Sequence, residues 1–159
     1  MARLLLFGIL IALGACATAP NKPAPRDEWL TPEQAIQKAK ANPLYGAHGT
    51  FVMTVRSVGA DKGMVYLDSL SNYRDADNLT IVMPESVAQQ LASRFDEPRK
   101  RLLIGQKIRV VGRAKRVHID LMRNGRPIGK YYYQTHVDVD DPRQIRWVSS
   151  DNDGRVSAN

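Results

Sequence analysis

Asn124-Gly125 lies between two long runs of alternating apolar and polar residues, and it constrains the fold more than any other feature of the chain. A two-residue hairpin turn needs positive φ at both central positions, and Asn followed by Gly adopts this at little cost. In the run before it, Lys107 to Asp120, alternation places Ile108, Val110, Gly112 and Ala114 on one face. Arg109, Arg113 and Lys115 fall on the other. The return strand is read over Gly129 to Val139, with Pro142 ending it. The first of these strands thus carries a core face of small and branched residues and a basic outer face. Gly112 permits the sharp coiling that a tightly curved sheet requires.

The remaining elements are read from local signals. Thr31-Pro32-Glu33-Gln34 opens a helix, with Thr31 as N-cap, Pro32 at the first helical position and Gln34 closing a capping box. Asn42-Pro43 ends it after about Ala41. Only Ala35, Ile36 and Ala39 are apolar, so a helix leaning on the domain is expected rather than a core element. Strand signals run over Thr50 to Val58, Met64 to Asp68 and Leu79 to Met83, separated by the turn Ala60 to Gly63 and the polar loop Ser69 to Asn78. Glu85 to Phe95 reads as a second helix, with Val87, Leu91 and Phe95 on one face. A basic loop follows from Glu97 to Arg101.

The class is all-β with one or two short helices. Three strands, a helix and two strands is an order that resembles the OB-fold, a five-stranded Greek-key barrel with its helix between strands three and four. Leu103 to Ala114 (LIGQKIRVVGRA) resembles the entry to the fourth strand of such domains. Tyr66 to Thr80 (YLDSLSNYRDADNLT) resembles nucleic-acid-type, tRNA-anticodon-like OB modules of exported bacterial proteins, most without assigned activity. The resemblance covers residues 48–148. The alternative fold is an antiparallel sheet with one helix that does not close.

Ahead of the domain, Arg3 is followed by the apolar run Leu4 to Leu13 and then Gly14-Ala15-Cys16. This run is shorter than the ~20 residues a bilayer span requires. It has the form of a signal segment. Leu13-Gly14-Ala15-Cys16 resembles the lipobox of bacterial lipoproteins. The resemblance implies cleavage after residue 15, a lipidated Cys16 (diacylglyceryl, palmitate) and membrane attachment through acyl chains. Ala17 is not the Asp that retains many Gram-negative lipoproteins at the inner membrane, which implies the inner leaflet of the outer membrane, facing the periplasm. Cys16 is the only cysteine, so no intramolecular disulfide supports the fold. The expected organisation is a signal peptide over 1–15, a lipidated Cys and Pro-rich tether over 16–30, a short helix over 31–42, an OB-like domain over 43–149 and a mobile polar tail over 150–159.

Loss of Arg3 with the signal leaves 22 Lys and Arg against 16 acids, a net charge of +6. The excess is concentrated: residues 99–130 hold eleven Lys or Arg and one acid, Asp120. Arg101, Arg109, Arg113, Lys115 and Arg116 are the candidate anion-binding residues, since guanidinium groups bond two phosphate oxygens at once. The bland alternative is a solvated hairpin kept charged to protect its edges. Tyr66, Tyr73 and Tyr131 to Tyr133 are candidate stacking partners.

Tyr73, Arg74 and Asp75 lie in the polar loop, a candidate ligand loop read equally as a turn closed by Asn78. The loop lacks the spacing of a calcium-binding loop. His118 and His136 could face each other across the hairpin, but without a third ligand. No catalytic, metal or cofactor site is expected, and the chain is read as a non-enzyme. The expected function is a membrane-anchored periplasmic lipoprotein binding an anionic envelope ligand (lipid, glycan or other polyanion) through a basic face. An envelope assembly adaptor binding another protein is the alternative, and a cryptic metal-dependent hydrolase a third. Nucleic acid is not an expected partner in vivo.

Overall fold

The computed structural model describes residues 29–93 and 103–148. They are mostly strand, with two short helices. Cys16, residues 16–28 of the expected tether, the basic loop with Arg101, Phe95 and the expected polar tail lie outside the described residues, whereas Trp29 and Leu30, read as the end of the tether, form a short strand. Among the described residues, no helix is long and apolar enough to cross a membrane.

The first helix, α1, spans Pro32–Ala41. Its capping box is formed: the Gln34 backbone N–H donates to Thr31 Oγ1 at 3.3 Å, and the Thr31 N–H donates to Gln34 Oε1 at 2.8 Å. The helix does not merely lean on the domain. Ala35 and Ala39 are fully buried in the main core, and α1 packs on several strands. Alanines carry little apolar area, but they allow the helix backbone to approach the sheet closely, which a count of large apolar residues overlooks.

The strands are β1 (Trp29–Leu30), β2 (Ala47–Thr54), β3 (Ser57–Asp61), β4 (Met64–Asp68), β5 (Leu79–Pro84), β6 (Lys107–Arg123), β7 (Arg126–Asp138) and β8 (Ile145–Trp147). They form one mixed sheet in the order β1-β2-β6-β7-β5-β4-β3, with β8 also on β6. The count is eight rather than the five expected. β1 and β8 are too short to carry a sequence pattern, and the strand read over Thr50 to Val58 divides at Val55-Arg56.

That division has a physical cause. Val55 exchanges backbone hydrogen bonds with Gly105 and Gln106, next to β6, whereas the Arg56 N–H turns to the Asp68 carbonyl on β4. The chain therefore changes partners within two residues. β2 and β3, the far members of the β2-to-β3 run of paired strands, are consecutive in sequence. β5 and β7 pair in parallel; β6 and β7 are antiparallel around Asn124 (φ 52°) and Gly125 (φ 75°).

The second helix, α2 (Glu85–Ala92), lies between β5 and β6 and buries Val87 and Leu91. The core consists of Phe51, Leu67, Leu79, Ile81, Met83, Ile108, Val110, Val137, Val139 and Ile145 with α1 and α2 against it. β6 pairs with β2 only as far as Ala114, and β7 pairs with β5 only from Thr135 onward. Beyond those points, among the described residues, the β6–β7 hairpin has ladder bonds on its inner side alone.

A basic cleft and an acidic cleft beside the projecting hairpin

The expected basic residues of β6 do lie on alternate positions, but each is already engaged. The Arg109 guanidinium stands over the Trp29 ring, 5.4 Å from its centroid. Arg113 Nε donates to His48 Nε2 at 2.7 Å. Lys115 Nζ pairs with Asp138 Oδ2 at 3.1 Å. These partners come from β1, β2 and β7, of which sequence alone brought only β7 beside β6. Arg116 follows the alternation to the opposite side of the strand, with its guanidinium 3.7 Å from the centroid of the Tyr133 ring.

On that side Arg116 meets two cations from distant elements. Lys40 of α1, Arg74 of the polar loop and Arg116 line a cleft of about 250 Å³, with Tyr132, Tyr133, Gln134 and Thr135. No carboxylate lines it among the described residues. Burial pushes the Tyr132 hydroxyl above its ordinary range, with Tyr73 adding to the shift. Arg74, which donates it a hydrogen bond, opposes this. Arg74 also lies 5.1 Å from the centroid of the Tyr73 ring. Exposed Tyr131 extends the aromatic surface outward, with the His118 ring 4.4 Å from it and Tyr133 edge-on at 5.7 Å. Lys40 gave no sequence signal as a site residue, since it reads as the basic last turn of a helix.

The polar loop is a built structure. Asn78 is fully buried. Its amide nitrogen donates to Asp68 Oδ1 and Thr80 Oγ1, both at 2.9 Å, and to the Tyr73 carbonyl at 3.3 Å. Its oxygen accepts from the Leu70 N–H at 3.0 Å and from Ser69 Oγ at 3.2 Å. Gln134 Nε2 also donates to the Tyr73 carbonyl, which ties the loop to β7. Asp75 makes an Asx turn, accepting from the Asp77 N–H at 3.0 Å. Of the three loop residues proposed, Arg74 enters the basic cleft, Tyr73 lines its neighbour, and Asp75 is spent on the turn.

That neighbour is a cleft of about 480 Å³ bounded by β3, β4 and β5 on one side and Ile119 and Gln134 of the hairpin on the other. Gln134 lines both clefts. Asp61 and Asp68 are its charged residues. Among the described residues no three His, Cys, Asp or Glu side chains converge as a metal site. His118 and His136 do not pair: they fall on opposite faces of the hairpin, since His118 lies opposite Tyr133 and His136 opposite Lys115. Burial pushes His136 below its ordinary range, opposed by Asp138 and Asp68, and its Nε2 meets Gln134 Oε1 at 2.9 Å.

No family model and no curated protein matches the chain. Among solved structures it is similar to a protein described as an aspartyl-tRNA synthetase from Leishmania major Friedlin. The TM-score is 0.43, the identity 6%, and the match covers 85% of this chain and 23% of that one. The chain thus spans less than a quarter of that protein's length, and so distant a likeness carries no argument about function.

Proposed function

We propose that the chain is an envelope lipoprotein whose β-domain holds an anionic ligand in the Lys40–Arg74–Arg116 cleft. One observation carries this reading: three cations from three separate elements converge around two tyrosine rings with no carboxylate in the lining among the described residues. Like charges gathered in this way repel one another, and an anion relieves the repulsion. The ligand is an anionic lipid headgroup, an acidic glycan or another polyanion of the envelope. In this reading β2 and β3 count as one bent strand, and with β4, β5, β6 and β7 they make the five strands of an OB-type barrel. α2 then occupies the place between strands three and four.

Lys40, Arg74 and Arg116 are all exposed, so replacing them with Gln leaves stability nearly unchanged. At ~1 kcal/mol per cation near an anionic surface, the triple variant binds phosphatidylglycerol vesicles and polyphosphate about a hundredfold more weakly. For polyphosphate, the wild-type plot of log affinity against log salt has a slope of about −2. The Arg109→Gln/Arg113→Gln/Lys115→Gln variant loses much less, because those groups already have partners. A flat salt response, or a Lys40/Arg74/Arg116 variant that binds like wild type, would overturn the proposal.

The lipoprotein half of the proposal rests on Leu13-Gly14-Ala15-Cys16. Cys16→Ala is expected to block lipidation and cleavage, and wild-type protein isolated from membranes to carry a mass increment of acyl chains on residue 16. An unmodified Cys16 in the mature protein contradicts it.

A second reading, the assembly adaptor, has its own observation. Among the described residues, the projecting hairpin has unpaired outer edges and exposes Met122, Ile128 and Tyr131. Such an edge suits strand addition by a partner protein. Salt-tolerant binding that survives the cleft variants favours this reading.

A further inference from the structure

We propose that the acidic cleft is a second binding site, selective for a primary ammonium group. The inference goes beyond the anion site and does not rest on it.

The key residue is Asp68. It is 3% exposed, yet its side-chain hydrogen-bond partners among the described residues are all uncharged. Removing a carboxylate from water costs several kcal/mol unless the charge is compensated. Oδ1 is fully used, accepting from Asn78 Nδ2 and Thr80 Oγ1 at 2.9 Å each. Among the described residues Oδ2 has only the Ser57 hydroxyl, at 3.4 Å. Acceptor capacity therefore remains on the oxygen beside Ser57, and both residues line the cleft. No Lys or Arg lines it among the described residues. Asp61 adds a second negative charge, and the aromatic residues Tyr66 and Tyr73 also line the cleft.

The geometry also selects among cations. A guanidinium bonds best across both carboxylate oxygens, and Oδ1 is already occupied. A divalent metal lacks a converging set of acidic or imidazole ligands among the described residues. A primary ammonium is a compact charge with three donors and needs only Oδ2 and the neighbouring hydroxyl. Its carbon chain finds apolar contact on Ile119 and the tyrosine rings. The ammonium belongs either to a free amine or to a lysine side chain of another protein.

The test is a titration of the full ¹⁵N-labelled chain, followed by amide shifts near neutral pH. The probes are n-butylamine, its neutral counterpart n-butanol, and Nα-acetyl-lysine methylamide. Butylamine is expected to move the amides of Ser57, Asp61 and Tyr66, whereas butanol leaves them in place. Tighter binding of the lysine derivative supports the proposal and assigns a protein side chain as the source; equal binding supports it with free amines as the source.

Asp68→Asn is expected to weaken the amine about tenfold or more, the effect of removing a charge from a charge-assisted hydrogen bond. Because Asp68 also braces the loop, exposed Tyr73→Ala serves as a variant that leaves the network intact; it is expected to weaken binding about threefold. Equal shifts with butanol, shifts confined to other regions, or wild-type affinity in folded Asp68→Asn or Tyr73→Ala would overturn the proposal. None of these outcomes bears on phosphate binding at Lys40, Arg74 and Arg116, so the two sites succeed or fail separately.

Discussion

Asn78→Ala is expected to destabilise the domain by about 3–5 kcal/mol, the range reached when a buried hydrogen-bond network is broken. Asn78 is fully buried and its amide group is saturated: it donates to Asp68, Thr80 and the Tyr73 carbonyl and accepts from Leu70 and Ser69. Alanine removes both ends at once. It leaves the Leu70 N–H without its acceptor and deprives the buried Asp68 carboxylate of one of its two short bonds. Each abandoned polar group costs roughly 1–3 kcal/mol, and more when it is charged. Asn78→Asp is no remedy, because it keeps the acceptor but sets a second carboxylate against Asp68. The measurement is chemical denaturation, read as a shift in midpoint at constant slope. A loss below about 1 kcal/mol would show that the loop holds together without the network. The same variant removes one of the two donors to the Tyr73 carbonyl, leaving Gln134, and loosens the loop that carries Arg74, so anion affinity falls even under conditions where the domain stays folded.

Gly112→Val is expected to cost about 2–3 kcal/mol through overpacking. A Cβ at this position lies 2.7 Å from Val137 Cγ1 and 3.6 Å from the Asp138 carbonyl oxygen. Val137 is fully buried and branched, so it has little freedom to yield. The missing side chain is what leaves room for Val137 of β7 against β6. A double variant tests that cause directly. Val137→Ala opens a cavity alone, but combined with Gly112→Val it relieves the contact, so the combined loss is smaller than the two single losses together. Strict additivity would mean that the two side chains do not collide.

The parts of the fold legible in the sequence are those set by neighbouring residues. The helix Pro32–Ala41 was readable at both ends, because Thr31, Pro32 and Gln34 cap it locally and Asn42-Pro43 stops it. Met64–Asp68 and Leu79–Pro84 were readable from their β-branched runs, and the hairpin from Asn124-Gly125. The sheet's outliers were not. Trp29–Leu30 and Ile145–Trp147 are strands only because β2 and β6 offer them ladder partners. The break at Val55-Arg56 likewise depends on which neighbour each residue faces.

The candidate sites divide along the same line. Composition showed that residues 99–130 are basic but could not show which charges are free. Packing placed Trp29, His48 and Asp138 beside Arg109, Arg113 and Lys115, and it brought Lys40 and Arg74 to Arg116 from far along the chain. It also buried Asp68 with neutral hydrogen-bond partners among the described residues. Local conformation follows from sterics and capping within a few residues, which sequence records directly. The convergence of charges and the desolvation of a carboxylate depend on distances between remote segments, and only the tertiary structure sets those distances.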